Sequence, residues 1–123
     1  MPVLRADQGP TVEAHGIVAR PLAVPSRGSR ELAVWRITLP PGAPAQPHSV
    51  DREEVFLVES GVLTASLAGR EERLGVGDVL LVAPGEEFGV SNSGPDPAHL
   101  LVCTSAGVLA RMGGQVIAPP WAQ

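Results

Sequence analysis

The sequence predicts an all-β fold, a sandwich or barrel built from many short strands in one domain. Glycine and proline are abundant, with 14 and 13 residues among 123, and both favour turns over long helices. Short apolar or alternating segments recur between turn signals, and no helical periodicity persists over three turns before residue 105. The length suits one hydrophobic core, and neither an internal repeat nor a linker divides the chain.

The predicted strands follow one another at short intervals. Residues 1–10 form a loose arm, Thr11–Val18 forms a first strand, and Pro21–Ser29 is a Pro/Gly-punctuated connection. Leu32–Leu39 is rich in β-branched and aromatic residues and ends at a Pro-Pro-Gly turn. Ala106–Met112 fits either a helical turn or a strand. The other predicted strands are Glu54–Val58, Val62–Leu67, Val79–Val82, Phe88–Asn92, His99–Thr104 and Gln115–Ile117.

Composition excludes several classes of function. The net charge of −4, without a basic cluster, gives no electrostatic footprint for nucleic acid. Lysine and tyrosine are absent, which excludes Schiff-base chemistry and phenolic acid catalysis. Cys103 is the single cysteine, so no intrachain disulfide forms. No apolar run reaches membrane-spanning length, and the N-terminus lacks the apolar core of a signal peptide, so we expect a cytoplasmic protein without a membrane partner.

One segment carries a spaced pattern of polar residues. Between Gly42 and Gly61 the sequence is a glycine, five residues, His48, a serine, Val50, three residues, Glu54, six residues and a glycine. This resembles the first cupin motif, in which a His-x-His pair precedes the glutamate. Val50 stands where the second histidine belongs.

A second segment, from Gly77 to Asn92, resembles the second cupin motif. Phe88 occupies the position of that family's third histidine. The proline of the motif is displaced by one residue, with Ala83 in its place and Pro84 following. The spacing of both motifs is therefore kept, while two of the three histidines are lost.

The resemblance covers residues 31–105 and implies a double-stranded β-helix, the jelly-roll barrel of small single-domain cupins. The whole chain, 1–123, then forms one cupin domain. Such cupins commonly pair through edge strands and terminal arms, and the resemblance implies a homodimer with residues 1–20 and 105–123 in that role.

The motif residues also imply a site inside the barrel. Alternate residues of a strand share a face, so Gln46, His48 and Val50 form one inward row. In the family, His48 and Glu54 correspond to metal ligands, and the full set suits Fe, Mn, Ni, Cu or Zn. Two protein ligands are fewer than metal sites usually supply. A third could come from Gln46, His99 or Glu53, and the spacing selects none of them.

His48 therefore has three interpretations, which the sequence leaves open. It is a metal ligand in a depleted site, a polar group in a metal-free pocket that is hydrogen-bonded to Glu54, or a structural residue. Val50 and Phe88 make the interior more apolar, which favours an organic ligand or simply fills the core. The expected pocket comprises Gln46, His48, Val50, Glu54 and Phe88.

Arg36 and two further histidines are weaker candidates. Arg36, between Trp35 and Ile37, either projects to the surface or anchors a carboxylate inside. His15 and His99 lie in predicted strands of unknown facing.

Three functions follow from these residues. The first is a metal-free cupin that binds a small molecule of unknown identity. The second is a metal-dependent oxygenase or isomerase with a reduced His48–Glu54 site. The third is a metal-free isomerase or epimerase-like enzyme in which His48 and Glu54 act as an acid/base pair.

Overall fold

The computed structural model describes residues 2–123, and strands dominate this range. Two short 3-10 helices, Pro25–Arg27 and Pro120–Ala122, are the helical elements of these residues. The strands are β1 Val12–Ala14, β2 Ile17–Ala23, β3 Leu32–Leu39, β4 Ser49–Val50, β5 Glu54–Ser60, β6 Leu63–Leu67, β7 Arg70–Leu74, β8 Val79–Val82, β9 Phe88–Ser91, β10 Ala98–Ser105, β11 Ala110–Met112 and β12 Gln115–Ile117. The predicted all-β class is confirmed.

The strands form three antiparallel sheets that build a jelly-roll barrel. The largest sheet has six strands in the order β1-β2-β3-β10-β5-β8. The two smaller sheets have the orders β7-β6-β9 and β12-β11-β4. Strands distant in the sequence are neighbours in these sheets, as in Greek-key and jelly-roll architectures. A β-bridge between His48 and Phe88 links the segment before β4 to β9, and so joins the two segments with cupin-like spacing.

Strict alternation along the central strands separates the core from the surface. Every second residue of β3 and β10 is buried, as is every second residue of β5 from Glu54 to Val58, and the register aligns these residues on one face. Trp35, Val102 and Phe56 lie side by side across the three strands in this way. Together with the neighbouring buried residues, these three side chains face the barrel interior, and the residues between them form the outer face of the sheet.

The N-terminal part differs from the prediction of one strand at Thr11–Val18. The chain instead turns back at His15 and Gly16, both with positive φ, and β2 then continues to Ala23. Pro21 lies inside β2 and is tolerated there, because β1 pairs with β2 only as far as Ala19. The edge of β2 beyond Ala19 is open on that side. The carbonyl oxygen of Pro21 accepts a hydrogen bond from Arg27 Nη1 at 2.9 Å, so its backbone faces this open edge and no ladder bond is lost.

The C-terminal part resolves the ambiguity at residues 106–112 in favour of a strand. β11 pairs with both β12 and β4, so its chain direction is fixed by two neighbours rather than by its own periodicity. The predicted strand Gln115–Ile117 is confirmed as β12. None of the helices among residues 2–123 has the length and apolar character needed to cross a membrane.

Candidate functional site

A cavity of about 120 Å³ lies inside the barrel, between the six-stranded sheet and the small sheet that contains β4. Its wall is mostly apolar. All four aromatic residues other than histidine contribute to it, since the chain has two tryptophans, two phenylalanines and no tyrosine. The wall comprises His15, Ile17, Trp35, Ile37, Leu39, Pro44, Gln46, His48, Val50, Glu54, Phe56, Phe88, Val90, Ala110, Met112, Ile117, Pro119, Pro120 and Trp121.

The structure brings the five expected pocket residues together on this wall. Gln46, His48 and Val50 follow one another on the approach to β4 and along it, and all three border the cavity. Glu54 begins β5, and Phe88 begins β9. Three separate segments of the chain thus meet at one cavity, as the spacing of the two motifs implied.

His48 is half-buried, and its ring is oriented by the backbone. Its Nδ1 lies 2.9 Å from the carbonyl oxygen of Gln46. A carbonyl oxygen can only accept, so Nδ1 carries the proton and Nε2 of the neutral ring is an acceptor. Burial lowers the pKa of His48, and the hydrogen bond to Gln46 opposes this shift without cancelling it. His48 is therefore a neutral imidazole at pH 7.

Glu54 is a buried carboxyl group, and its side chain is only 4% exposed. Within residues 2–123 its carboxyl group has no hydrogen-bond or ion-pair partner. Burial alone raises its pKa from 4.5 to about 8. At pH 7 the group is therefore protonated, and it offers the cavity an O–H donor and a carbonyl acceptor.

One of the three interpretations of His48 included a hydrogen bond to Glu54, and this bond is absent among residues 2–123. His48 uses Nδ1 for its own neighbouring backbone at Gln46, and no ion pair joins the two side chains. The two groups share a cavity without forming a bonded pair.

Sequence reasoning missed Trp35, Phe56, Trp121 and most of the C-terminal wall. Trp35 is 2% exposed, and its indole Nε1 is a buried donor without a partner in the protein. The 3-10 helix that contains Trp121 contacts β2 and β3, and so closes the cavity. The scarcity of aromatic residues was the available signal, because four rings in 123 residues can all serve one place.

The cupin resemblance implies a metal ion, which needs three or four donor groups close together. Among residues 2–123, no three His, Cys, Asp or Glu side chains lie close enough together to hold a metal ion. The alternative third ligands are engaged or remote: the Gln46 amide donates to the His15 carbonyl, and His99 Nδ1 lies 3.1 Å from Thr38 Oγ1. Glu53 is exposed. The residues present therefore do not fit a three- or four-ligand transition-metal site.

Arg36 and Cys103 lie away from the cavity. The Arg36 guanidinium forms an ion pair with Glu59, with Nε 2.7 Å from Oε1, on the outer face of the six-stranded sheet. It is thus a surface arginine, not an anchor inside the barrel. Cys103 is half-buried on the same outer face.

The chain belongs to the cupin family. The family model described as "Cupin domain" matches residues 35–104, which is more than half of the chain. No curated protein matches the sequence.

Similar solved structures agree with the fold at low sequence identity. The polyketide cyclase RemF from Streptomyces resistomycificus is 19% identical with a TM-score of 0.80, covering 98% of this chain and 90% of its own. A sugar phosphate isomerase of the cupin superfamily from Silicibacter pomeroyi is 21% identical, with a TM-score of 0.74 and coverages of 93% and 83%. An RmlC-like cupin from Shewanella frigidimarina is 20% identical, with a TM-score of 0.73 and coverages of 84% and 88%. These likenesses establish the jelly-roll fold alone.

Proposed function

We propose that this protein is a small-molecule-binding cupin whose cavity takes an organic ligand without a metal. The observation that carries the proposal is the composition of the cavity wall. Aromatic and aliphatic side chains form most of it, and a few polar groups interrupt them. Ligand pockets commonly have this composition, because apolar surface supplies affinity and a few polar atoms fix orientation.

The buried polar groups support a binding cavity over a filled core. A core residue gains nothing from an unpaired carboxyl group, because burying a polar group without a partner costs free energy. Glu54 is nevertheless buried and has no partner among residues 2–123. A ligand that hydrogen-bonds to this carboxyl group would offset that cost.

A thermal-shift screen of small organic compounds tests this function. A ligand at about 100 times its Kd adds roughly 2.7 kcal/mol of stability, which raises the Tm of a domain of this size by roughly 10 °C. His48→Ala should reduce the shift for a ligand that touches the ring. His99→Ala is the matched control, because His99 lies on the outer face. Ala110→Trp, which fills the cavity, should abolish the shift.

Two results would count against binding in this cavity. The first is a screen in which no compound raises the Tm of the wild-type protein. The second is a ligand that stabilises the wild type and the Ala110→Trp variant equally, since Ala110 lines the cavity and the larger side chain would occupy the ligand's place.

An acid/base enzyme is the second candidate, and the protonation states favour it. His48 is neutral and can accept a proton at Nε2, while protonated Glu54 can donate one, and both border the same cavity. Groups whose environments shift their pKa values away from ordinary values are typical of acid/base sites. Two similar structures are a polyketide cyclase and a sugar phosphate isomerase by name, which is consistent with such chemistry on this fold.

Turnover assays with the ligands found in the screen separate the two candidates. An enzyme of this kind would lose activity in both His48→Gln and Glu54→Gln while keeping ligand affinity within about tenfold. A binding protein would show no turnover of any bound ligand in the wild type.

We also propose that the protein forms a homodimer. β8 is an edge strand of the six-stranded sheet, and its Val79 and Leu81 are 52% and 58% exposed. Apolar residues this exposed on a sheet edge favour pairing with another chain. Light scattering should give twice the chain mass of 12.7 kDa, and a monomeric mass would contradict the proposal. The cytoplasmic location stays a prediction from the sequence.

A further inference from the structure

The charges and hydrogen-bonding groups of the cavity wall restrict what it can bind. We propose that the cavity selects an uncharged ring compound that carries a hydroxyl or carbonyl group. This inference rests on the proposed function, because it names the ligand class of that same cavity.

The size and the aromatic wall favour a single ring. The cavity volume is about 120 Å³, and a dry apolar cavity of about 150 Å³ in another protein holds benzene. The rings of Phe56 and Phe88 meet edge to face, with centroids 5.4 Å apart. Aromatic ligands pack well against such a wall in stacked or edge-on arrangements. A ligand much larger than one ring would have to extend through the mouth.

An anionic group has no counter-charge inside the cavity. All nine basic residues of the chain are arginines, and none of them lines the wall. The titratable groups on the wall are His15, His48 and Glu54. His15 is exposed in the β1–β2 turn at the edge of the cavity, and His48 is neutral at pH 7. A buried carboxylate or phosphate would therefore remain unpaired, which is costly.

A cationic group is also disfavoured, although aromatic faces can attract cations. Glu54 is the one acidic side chain on the wall, and it is buried without a partner among residues 2–123. It is protonated at pH 7, so a cation would gain a counter-charge only after this carboxyl lost its proton. A hydroxyl group suits both buried polar residues of the wall, because its oxygen can accept from the Glu54 O–H and its proton can go to His48 Nε2. A carbonyl oxygen suits the first.

Four probes that differ at one group test this selectivity: benzyl alcohol, toluene, benzoate and benzylammonium. We expect benzyl alcohol to bind at least tenfold more tightly than either ion at pH 7, and several-fold more tightly than toluene. Titrations are followed by ¹H–¹⁵N NMR. The two indole signals are assigned with Trp121→Phe, and binding in the cavity should move both, because both tryptophans line it.

Variants separate the roles of the polar groups. Glu54→Leu removes the buried donor and should lose most of the preference for benzyl alcohol over toluene, whereas Glu54→Gln keeps a neutral donor and should restore it. Glu59→Gln is the matched control on the outer face of β5 and should change nothing. If Glu54→Leu does not fold, the Glu54→Gln variant and the four-probe series in the wild type still decide the point.

The outcomes distinguish the ligand class from the existence of a binding cavity. Binding of benzoate or benzylammonium as tight as that of benzyl alcohol would overturn the ligand class and leave the binding function standing. Toluene binding as tight as that of benzyl alcohol would do the same. If none of the four probes perturbs any cavity signal at millimolar concentration, both the ligand class and the proposed function fail.

Discussion

The rings of His48 and Phe88 lie against each other in the cavity wall, with centroids 4.3 Å apart and planes inclined by 46°. Two backbone hydrogen bonds fix the pair: His48 N donates to Phe88 O at 2.9 Å, and Phe88 N donates to His48 O at 2.8 Å. His48 stands at a histidine position of the first motif, and Phe88 stands at the histidine position of the second. Backbone pairing therefore joins the two motif segments and places an aromatic ring against the His48 imidazole.

The small donor set of the cavity predicts weak metal binding in the wild type and tighter binding once further ligands are added. Wild-type protein incubated with Zn²⁺ or Ni²⁺ and dialysed should retain well under one metal ion per chain, because His48 and Glu54 alone make too small a ligand set. The double variant Val50→His with Phe88→His adds two donors on the same cavity wall and should retain one equivalent.

Elemental analysis measures both proteins, and His48→Ala is the control in each background. In the double variant it should remove most of the bound metal. Stoichiometric metal in the wild type that disappears in His48→Ala would show that a third ligand exists and would contradict the proposed metal-free cavity.

Glu54 makes stability depend on pH. Burial raises its pKa from 4.5 to about 8, so between these values the folded protein keeps a proton that the unfolded chain has released. The free energy of unfolding therefore falls as pH rises through this window and levels off above it. The full effect is of the order of 4–5 kcal/mol, at about 1.4 kcal/mol for each pH unit. Urea unfolding at pH 5 and pH 8.5 measures it.

Glu54→Gln should remove this slope, so the variant gains stability relative to wild type as pH rises. Glu59→Gln, in the same strand but on the outer face, should keep the wild-type slope. His48 acts in the opposite direction. Burial lowers its pKa, so stability falls as pH drops below about 6.5, where the unfolded chain takes up a proton. A wild-type and Glu54→Gln pair with parallel pH profiles would contradict a buried, protonated Glu54.

Gly61 and Gly85 predict unequal costs for the same substitution. Both have positive φ, +80° and +79°, so alanine is strained at either position. A Cβ at Gly61 would lie 2.6 Å from the Pro97 carbonyl oxygen and 2.8 Å from Ala98 Cα, whereas a Cβ at Gly85 would meet nothing within 4 Å. We expect Gly85→Ala to cost about 1–2 kcal/mol and Gly61→Ala clearly more. Equal midpoints in urea would show that the Pro97 segment can move aside freely.

Asn92 is a buried hydrogen-bonding centre next to β9. Its Nδ2 donates to Leu39 O at 3.0 Å and to Asp96 O at 2.8 Å, and its Oδ1 accepts from Gly94 N at 3.0 Å. Asn92→Ala leaves these buried groups unpaired and should cost about 2–4 kcal/mol. Asn92→Asp keeps the shape and the bond to Gly94 but loses both donors. The Asn92→Asp variant should therefore also be less stable than the wild type at pH 7. An unchanged Tm in thermal denaturation would contradict this account.

Local sequence patterns predict a strand correctly where the residues of that strand and its adjacent turn determine its structure. Leu32–Leu39 was predicted with the bounds that the structure gives β3, because alternation and the following Pro-Pro-Gly turn are both local. The first strand was predicted wrongly, since the turn at His15-Gly16 breaks an otherwise continuous apolar pattern. The segment 106–112 remained ambiguous, because its strand depends on pairing with β12 and β4 rather than on its own residues.

The sequence by itself determined the all-β class, the cupin-like frame and the five residues that meet at the cavity, because motif spacing and strand alternation are properties of the chain. Only the tertiary structure decided the rest of the wall and the protonation states. Trp35 and Trp121 lie far apart in the sequence and meet through long-range strand pairing. The pKa of Glu54 depends on burial by many segments at once. The orientation of the His48 ring depends on which neighbouring group forms a hydrogen bond with it. Desolvation and partner choice are set by three-dimensional packing.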